Sequence, residues 1–301
     1  LVEQTAKRLN YSPNRIAQKL VTGRSGMVGM IVRVNPASPT DRSFVEIMMG
    51  LSSHLAERDL DLVFQVGVDT DPILPYERML QKSTVDGFIL NAPTLDDPRI
   101  DYLSKRDIPF VVHGRATNTA AHPYFDIDNA AVTRDSVEHL ANLGHRKIAL
   151  LSGLETAGYA AARDHSFAQA IAAKGFSGTV RNALPSEDYG HAAAIELLRA
   201  QDRPTAIIAD STLIAAGVYT AAAELGLSIP DDISVIAHDD DIPQWRAVNF
   251  EPALTVTRAP MRDACAPLAQ ILAARLGLGP EAPLQQTQRA ELIIRGSTGP
   301  A

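Results

Sequence analysis

Cysteine is almost missing from this chain of 301 residues: Cys265 stands alone, which excludes an internal disulfide framework. Trp245 is likewise the single tryptophan, and aromatic residues reach only 5%. Long apolar runs are lacking too. Stretches such as GMVGMIV at 26–32 fall well short of the ~20 residues that a membrane span needs, so no membrane partner is expected. The opening LVEQTAKRLNYSPNR is polar and basic, without the apolar stretch of a secretory signal. A cytoplasmic setting is the simplest expectation. P-loop, nucleophile-elbow and H-E-x-x-H patterns do not occur. GRSGMVG at 23–29 precedes a strand where a dinucleotide fingerprint would follow one, so no cofactor is expected. His139 and His145 lack the spacing of a metal pair on one helix face; they read as structural, and no metal site is expected. Cys265, in an Ala/Leu-rich stretch, reads as a small core residue.

What is present is a normal core-forming composition, 46% hydrophobic and 21% charged, in a chain long enough for about two domains. The net charge of −7 is unevenly spread. Residues 1–40 carry Lys7, Arg8, Arg15, Lys19, Arg24 and Arg33 against the single acid Glu3. A basic arm on an acidic body suits a protein whose arm alone touches nucleic acid.

From residue 27 onward, apolar β-rich runs alternate with helical periodicity. MVGMIVRV (27–34) reads as a strand and 43–59 as a helix with Phe44, Ile47, Met48, Leu51 and Leu55 on one face. Strands follow at 61–66, 86–91 and 109–113, with helices around 75–83 and 98–106 between them. After PYFDIDN (123–129) the pattern resumes. Helices are expected at 129–143, 160–174, 190–200 and 211–225, and strands at 147–151, 205–209 and 233–237. PALTVTR (252–258), a helix at about 260–276 and a strand at 289–295 close the chain. Alternating strands and helices mean parallel sheets covered on both faces. Two doubly wound lobes are therefore expected, with a ligand cleft off the carboxyl ends of the strands.

Residues at those ends are the binding candidates: Asn91, His113, Asp128, Asn129, Ser211 and Asp239. Amides, carboxylates and cations there can bond pairs of hydroxyls, while an aromatic face packs against the carbon side of a sugar ring. Taken singly, each has a plainer reading. Arg163 could be a surface salt-bridge partner, Asp128 and Asn129 could cap a helix, and Asp239 to Asp241 could be a solvated turn; Trp245, just past those aspartates, could shield the cleft mouth or equally be packing.

Before residue 27, VEQTAKRLNY (2–11) and RIAQKLVTGR (15–24) read as short helices separated by Ser12-Pro13-Asn14. A short basic helix with an apolar edge can lay that edge into a DNA minor groove. Here the residues become specific. NYSPNRIAQKLVTGRSGMVGMIV resembles the junction between headpiece and sensor in the LacI/GalR family of bacterial regulators, with Tyr11, Pro13, Asn14, Arg15, Ala17, Leu20, Thr22, Gly23 and Arg24 in register. FDIDNAAVTRDSVEHLANLGHRKIALLSG (125–153), PTAIIADSTLIAAGVYTAAAELGLSIPDDISVIAHDD (204–240) and PALTVTR (252–258) resemble further stretches of the same family.

The resemblance implies a periplasmic-binding-protein-like α/β sensor preceded by the remnant of a helix-turn-helix headpiece and a hinge helix. It implies a headpiece end and hinge at 1–25, a first lobe of 26–125 plus about 256–285, and a second of 126–255 plus about 286–301. It makes Leu20 the minor-groove wedge, with Ala17 beside it and Asn14, Arg15 and Lys19 as further DNA contacts. The helices that would read the major groove do not appear, so the chain reads as a truncated form of a longer regulator. In the cleft the resemblance assigns Arg163 and Asp239 to the effector, Tyr189 to stacking and Phe44 to the other lobe. Ser211 stands where the family often has Asn or Asp. The function implied is a ligand-responsive, homodimeric DNA-binding repressor of sugar genes without enzymatic activity, whose effector is a small saccharide. Two other classes fit the two-lobed design: a stand-alone periplasmic-type sugar-binding protein, and a sugar-modifying enzyme that pairs Asp239 with His113.

Overall fold

The computed structural model describes residues 23–32, 42–67, 70–117 and 121–301, together with Arg8, and gives residues 42–44 by backbone only. The DNA-contact candidates Asn14, Arg15, Ala17, Lys19 and Leu20 lie outside the described residues, as does the side chain of Phe44.

The described residues form two six-stranded sheets. The first contains β1 (Met27–Val32), β2 (Asp61–Val66), β3 (Gly87–Asn91), β4 (Phe110–His113), β5 (Tyr124–Ile127) and β11 (Gln285–Gln288), in the spatial order β11-β5-β4-β3-β1-β2. The second contains β6 (Lys147–Ser152), β7 (Ser177–Asn182), β8 (Ala206–Ala209), β9 (Ser234–Asp239), β10 (Thr255–Arg258) and β12 (Glu291–Ile293), in the order β12-β10-β9-β8-β6-β7. All pairings are parallel except that of β12 with β10. Central strands such as AIIA (β8) and SVIAHD (β9) are buried along their whole length, as strands covered on both faces must be.

In the first lobe, α1 (Arg42–Ala56) and α8 (Cys265–Arg275) share a core on one face of the sheet through Ile47, Leu51, Cys265 and Leu268. On the other face α2 (Leu74–Gln81) and α3 (Pro98–Ser104) bury Tyr76, Met79, Ile100 and Leu103 against Phe88 and Val112. In the second lobe, α4 (Asn129–Asn142) and α5 (Gly158–Lys174) cover one face through Val137, Leu140, Phe167 and Ile171. The opposite face is covered by α6 (Glu187–Arg199) and α7 (Thr212–Glu224) through Ala194, Leu198, Ile214 and Val218.

The chain changes lobes after β5, after β10 and between β11 and β12. The expected limits at 256 and 286 fall inside β10 and β11: β10 belongs to the second sheet, and β11, QQTQ, to the first. The sequence pattern predicts no strand between the helices at 160–174 and 190–200. The structure inserts β7, SGTVRN, at the edge of the second sheet. His145 and Cys265 are core residues. His145 Nδ1 meets Thr205 Oγ1 at 2.8 Å and its Nε2 meets the Gly299 carbonyl at 3.1 Å, while Cys265 is fully buried.

Candidate functional site

Because the parallel strands of both sheets end toward the gap between the lobes, their last residues and the first turns of the following helices gather there. Arg163 is the hub. It sits in the second turn of α5 with only 3% of its surface exposed. Its Nε donates to Asn129 Oδ1 at 2.9 Å, and its Nη1 donates to the Asp210 carbonyl at 2.8 Å. The same Nη1 lies 3.3 Å from Asp210 Oδ1, and the guanidinium stands 5.1 Å from the centre of the Tyr159 ring. Asp210 is fixed in turn by the Ser152 hydroxyl and the Gly153 N–H, both donating to Oδ2 at 2.9 Å. The surface salt-bridge reading of Arg163 therefore fails: this is a buried cation held at its partners by fixed geometry, where a charge is tolerated only if paired and hydrogen-bonded.

Asn129 joins this hub to the strand that crosses between lobes. Its Nδ2 donates to Asp126 Oδ1 at 3.1 Å. Burial raises the Asp126 carboxyl to about 6, against the opposing pull of Arg115 from the first lobe and Arg163 from the second. Across the gap, His113 Nδ1 meets Asn91 Oδ1 at 2.8 Å. Burial drops His113 to about 4, with Asp240 opposing the shift, so the ring is neutral at pH 7. Burial pushes the Asp240 carboxyl up, but His238, Arg163 and His113 outweigh it and hold it below its ordinary range. His238 Nε2 lies 3.3 Å from Asp240 Oδ1. Asp239 is buried, its Oδ1 accepts the Asp241 N–H at 2.8 Å, and burial raises its carboxyl.

Four sequence candidates take other positions. Asp128 caps α4, accepting the Ala131 N–H at 2.9 Å. Ser211 caps α7, accepting the Ile214 N–H at 3.3 Å, so the β8-end residue against Arg163 is Asp210, one place earlier. The Tyr189 hydroxyl donates to the Arg181 carbonyl at 2.5 Å, which commits its proton. Trp245 stands half-buried in the turn after β9. The Asp239–His113 pair required by an enzymatic reading is not formed among the described residues; the carboxylate facing His113 is Asp240.

Sequence reasoning missed Asp126, Asp210 and Tyr159. The first two sit at strand ends and were findable by position. Tyr159 was not, because nothing in AGYAAARD distinguishes a cleft tyrosine from a packed one. Its ring lies beneath Arg163, and its hydroxyl is pushed upward in pKa by burial and by Asp210. Between α1, the turn after β9 and the segment after β10 lies a cavity of about 300 Å³. It is lined by Glu46 from α1, Asp240, Asp241 and Arg246 from the second lobe, and Pro260 and Arg262 from the crossing segment. Arg262 pairs with Glu46 across it.

The HTH-type transcriptional regulator AglR of Rhizobium meliloti is 34% identical over 304 aligned residues, covering 100% of this chain and 85% of AglR. The chain belongs to the LacI family of bacterial transcriptional regulators. The profile of the periplasmic binding protein-like domain matches residues 137–298 of this LacI-family chain. Among solved structures, a LacI-family regulator from Bifidobacterium animalis subsp. lactis superposes with a TM-score of 0.83 at 26% identity. It covers 92% of this chain and 99% of that one. The CelR–cellobiose complex superposes with a TM-score of 0.80 at 26% identity, covering 98% of this chain and 89% of the other. The two-lobed, periplasmic-binding-protein-like architecture read from the sequence is thus that of its relatives. Among the described residues no helix is long and apolar enough to cross a membrane.

Proposed function

We propose that this LacI-family regulator is a repressor of sugar-utilisation genes, acting in the cytoplasm as a homodimer, whose operator affinity is set by a small neutral saccharide between its lobes. The observation that carries this reading is the buried constellation of Arg163, Asn129, Asp210 and Tyr159. One cation, one carboxylate and one amide are fixed as donors and acceptors beside an aromatic ring, the recipe for a polyhydroxylated ligand. Asp210, Asp239 and Asp240 outnumber Arg163 and the Arg115 that faces Asp126, so a phosphorylated sugar would meet net negative charge. A cellobiose complex of a relative agrees with the same ligand class.

In this reading Asn91 and His113 contact the ligand from the first lobe, joined by the Phe44 ring. Asn129, Arg163, Asp239 and the ring faces of Tyr159 and Tyr189 contact it from the second, and Trp245 shields the mouth. Asp128 and Ser211 act through the helices they cap. Leu20 and Ala17 enter the minor groove, with Asn14, Arg15 and Lys19 alongside. Ligand binds one lobe arrangement better than the other and so shifts the spacing of the paired hinge helices. Thermal-shift screening against neutral mono- and disaccharides, cellobiose included, and the corresponding sugar phosphates tests the ligand class. A neutral sugar at about 100 times its Kd adds roughly 2.7 kcal/mol of stability. A response to sugar phosphates alone would overturn the assignment.

A further inference from the structure

The two lobes touch at a place that no crossing segment requires. The loop after β3 in the first lobe and the loop after β6 in the second form an antiparallel bridge, Thr94 opposite Ala157. Two backbone hydrogen bonds flank it: Leu95 N–H donates to the Thr156 carbonyl at 3.2 Å, and Gly158 N–H donates to the Pro93 carbonyl at 3.1 Å. In the first sheet β4 separates β3 from the crossing strand β5, and in the second β8 and β9 separate β6 from β10. The bridge therefore lies away from the hinge edge, where opening of the cleft separates the lobes.

Both sides of the bridge are built to hold their shape. On the first-lobe side, Arg99 donates to both Asp97 oxygens, at 2.9 and 2.6 Å, and reaches the Asn91 carbonyl at 3.3 Å. Asp97 in turn accepts the Thr94 N–H at 3.1 Å. On the second-lobe side, Gly158 is the first residue of α5, the helix that carries Tyr159 and Arg163. The absence of a side chain there is required: a Cβ on Gly158 would collide with the Arg115 carbonyl oxygen of the first lobe.

We propose that the Pro93–Leu95 and Thr156–Gly158 segments form a backbone catch that holds the cleft shut, and that it ties closure to the occupancy of Tyr159 and Arg163 through the first turn of α5. Opening must break both hydrogen bonds, and displacement of the α5 start by a ligand moves one half of the catch directly. The link to occupancy rests on the cleft being the effector site. The existence of the catch does not, and its test uses no saccharide, so the two can fail separately.

The measurement is amide hydrogen exchange of the full-length protein without ligand, comparing wild type with Gly158→Ala. Alanine suits a helix start better than glycine, so α5 itself is not weakened. The Leu95 amide, in the other lobe, is expected to be protected in wild type and to lose that protection in Gly158→Ala, while β3 and β6 amides keep theirs. A Leu95 amide unprotected in wild type, or equally protected in both proteins, would overturn the proposal. If Gly158→Ala does not fold, the double variant Thr94→Cys with Ala157→Cys serves. The flanking bonds make this a non-hydrogen-bonded pair, with Cα atoms about 4.5 Å apart, inside the roughly 4.4–6.8 Å that a disulfide spans. Mild oxidation with oxidised glutathione should form the bond in ligand-free protein without changing the radius of gyration. Two thiols that stay free, or a changed radius, would contradict a closed catch.

Discussion

At the scale of single residues, Arg163 combines two roles, since the partners that orient it also depend on it. Removing it strands the buried Asp210 carboxylate, and breaking a buried pair in this way costs about 3–5 kcal/mol. Arg163→Ala is expected to melt well below wild type and to show no thermal shift with any saccharide that stabilises wild type; an unchanged saccharide titration would remove Arg163 from the site. Asp126 makes a pH-dependent prediction. Its folded pKa is raised to about 6 from an ordinary 3.8, so the folded state favours the protonated form. Ionisation therefore costs stability, a cost absent below about 3.8 and complete above about 6. Asp126→Asn keeps the acceptor for the Ile127 N–H (2.9 Å) and should melt above wild type at pH 7.5 but level with it at pH 4. Equal melting temperatures at pH 7.5 would show that the carboxylate is not under strain.

Among the elements, legibility followed burial. Strands such as AIIA and SVIAHD, buried on both faces, announce themselves as apolar runs. Edge strands do not: β7 (SGTVRN) and β11 (QQTQ) are half-exposed and polar, held by backbone pairing that leaves no periodic mark. Strand ends pointed to Asn129 and Asp239, whereas Arg163, inside α5, was reached only through the family resemblance. The step from Ser211 to Asp210, and the presence of Tyr159, needed the turn geometry. The join to the N-terminal arm makes a prediction at this scale. Asp86 accepts the Ser25 N–H at 2.7 Å and the Gly26 N–H at 2.8 Å, fixing the chain where it enters β1. Asp86→Ala removes the acceptor of both half-buried donors, a loss of about 1 kcal/mol per bond. It should lower the melting temperature and expose residues 23–26 to limited proteolysis; wild-type resistance would contradict the clamp. The C-terminal segment offers another. Burial lowers the pKa of His139 and His145, which contact Thr298 Oγ1 at 2.9 Å and the Gly299 carbonyl. The folded state favours the neutral rings, so their contribution is complete above about 6.5 and is lost as pH falls below it. Denaturant midpoints measured from pH 7.5 to 5 should fall less steeply in His145→Gln than in wild type.

For the whole molecule, the architecture makes the gap between lobes a site and a hinge at once. The polar groups gathered at the gap come from both lobes, three chain crossings join the described sheets, and the N-terminal arm enters the first lobe at β1. A ligand that favours one lobe arrangement must act on the arm's partner through the same equilibrium, and the coupling is reciprocal. A shift of about 1–3 kcal/mol, roughly 5–150-fold in affinity, is the range such coupling covers. The most direct test is a titration of the full-length regulator against its operator at fixed salt, with and without the neutral saccharide that raises its melting temperature. The account predicts that the sugar changes operator affinity at least about fivefold and that Arg163→Ala abolishes the change. Operator binding identical in the presence and absence of a saccharide bound in the cleft would contradict it.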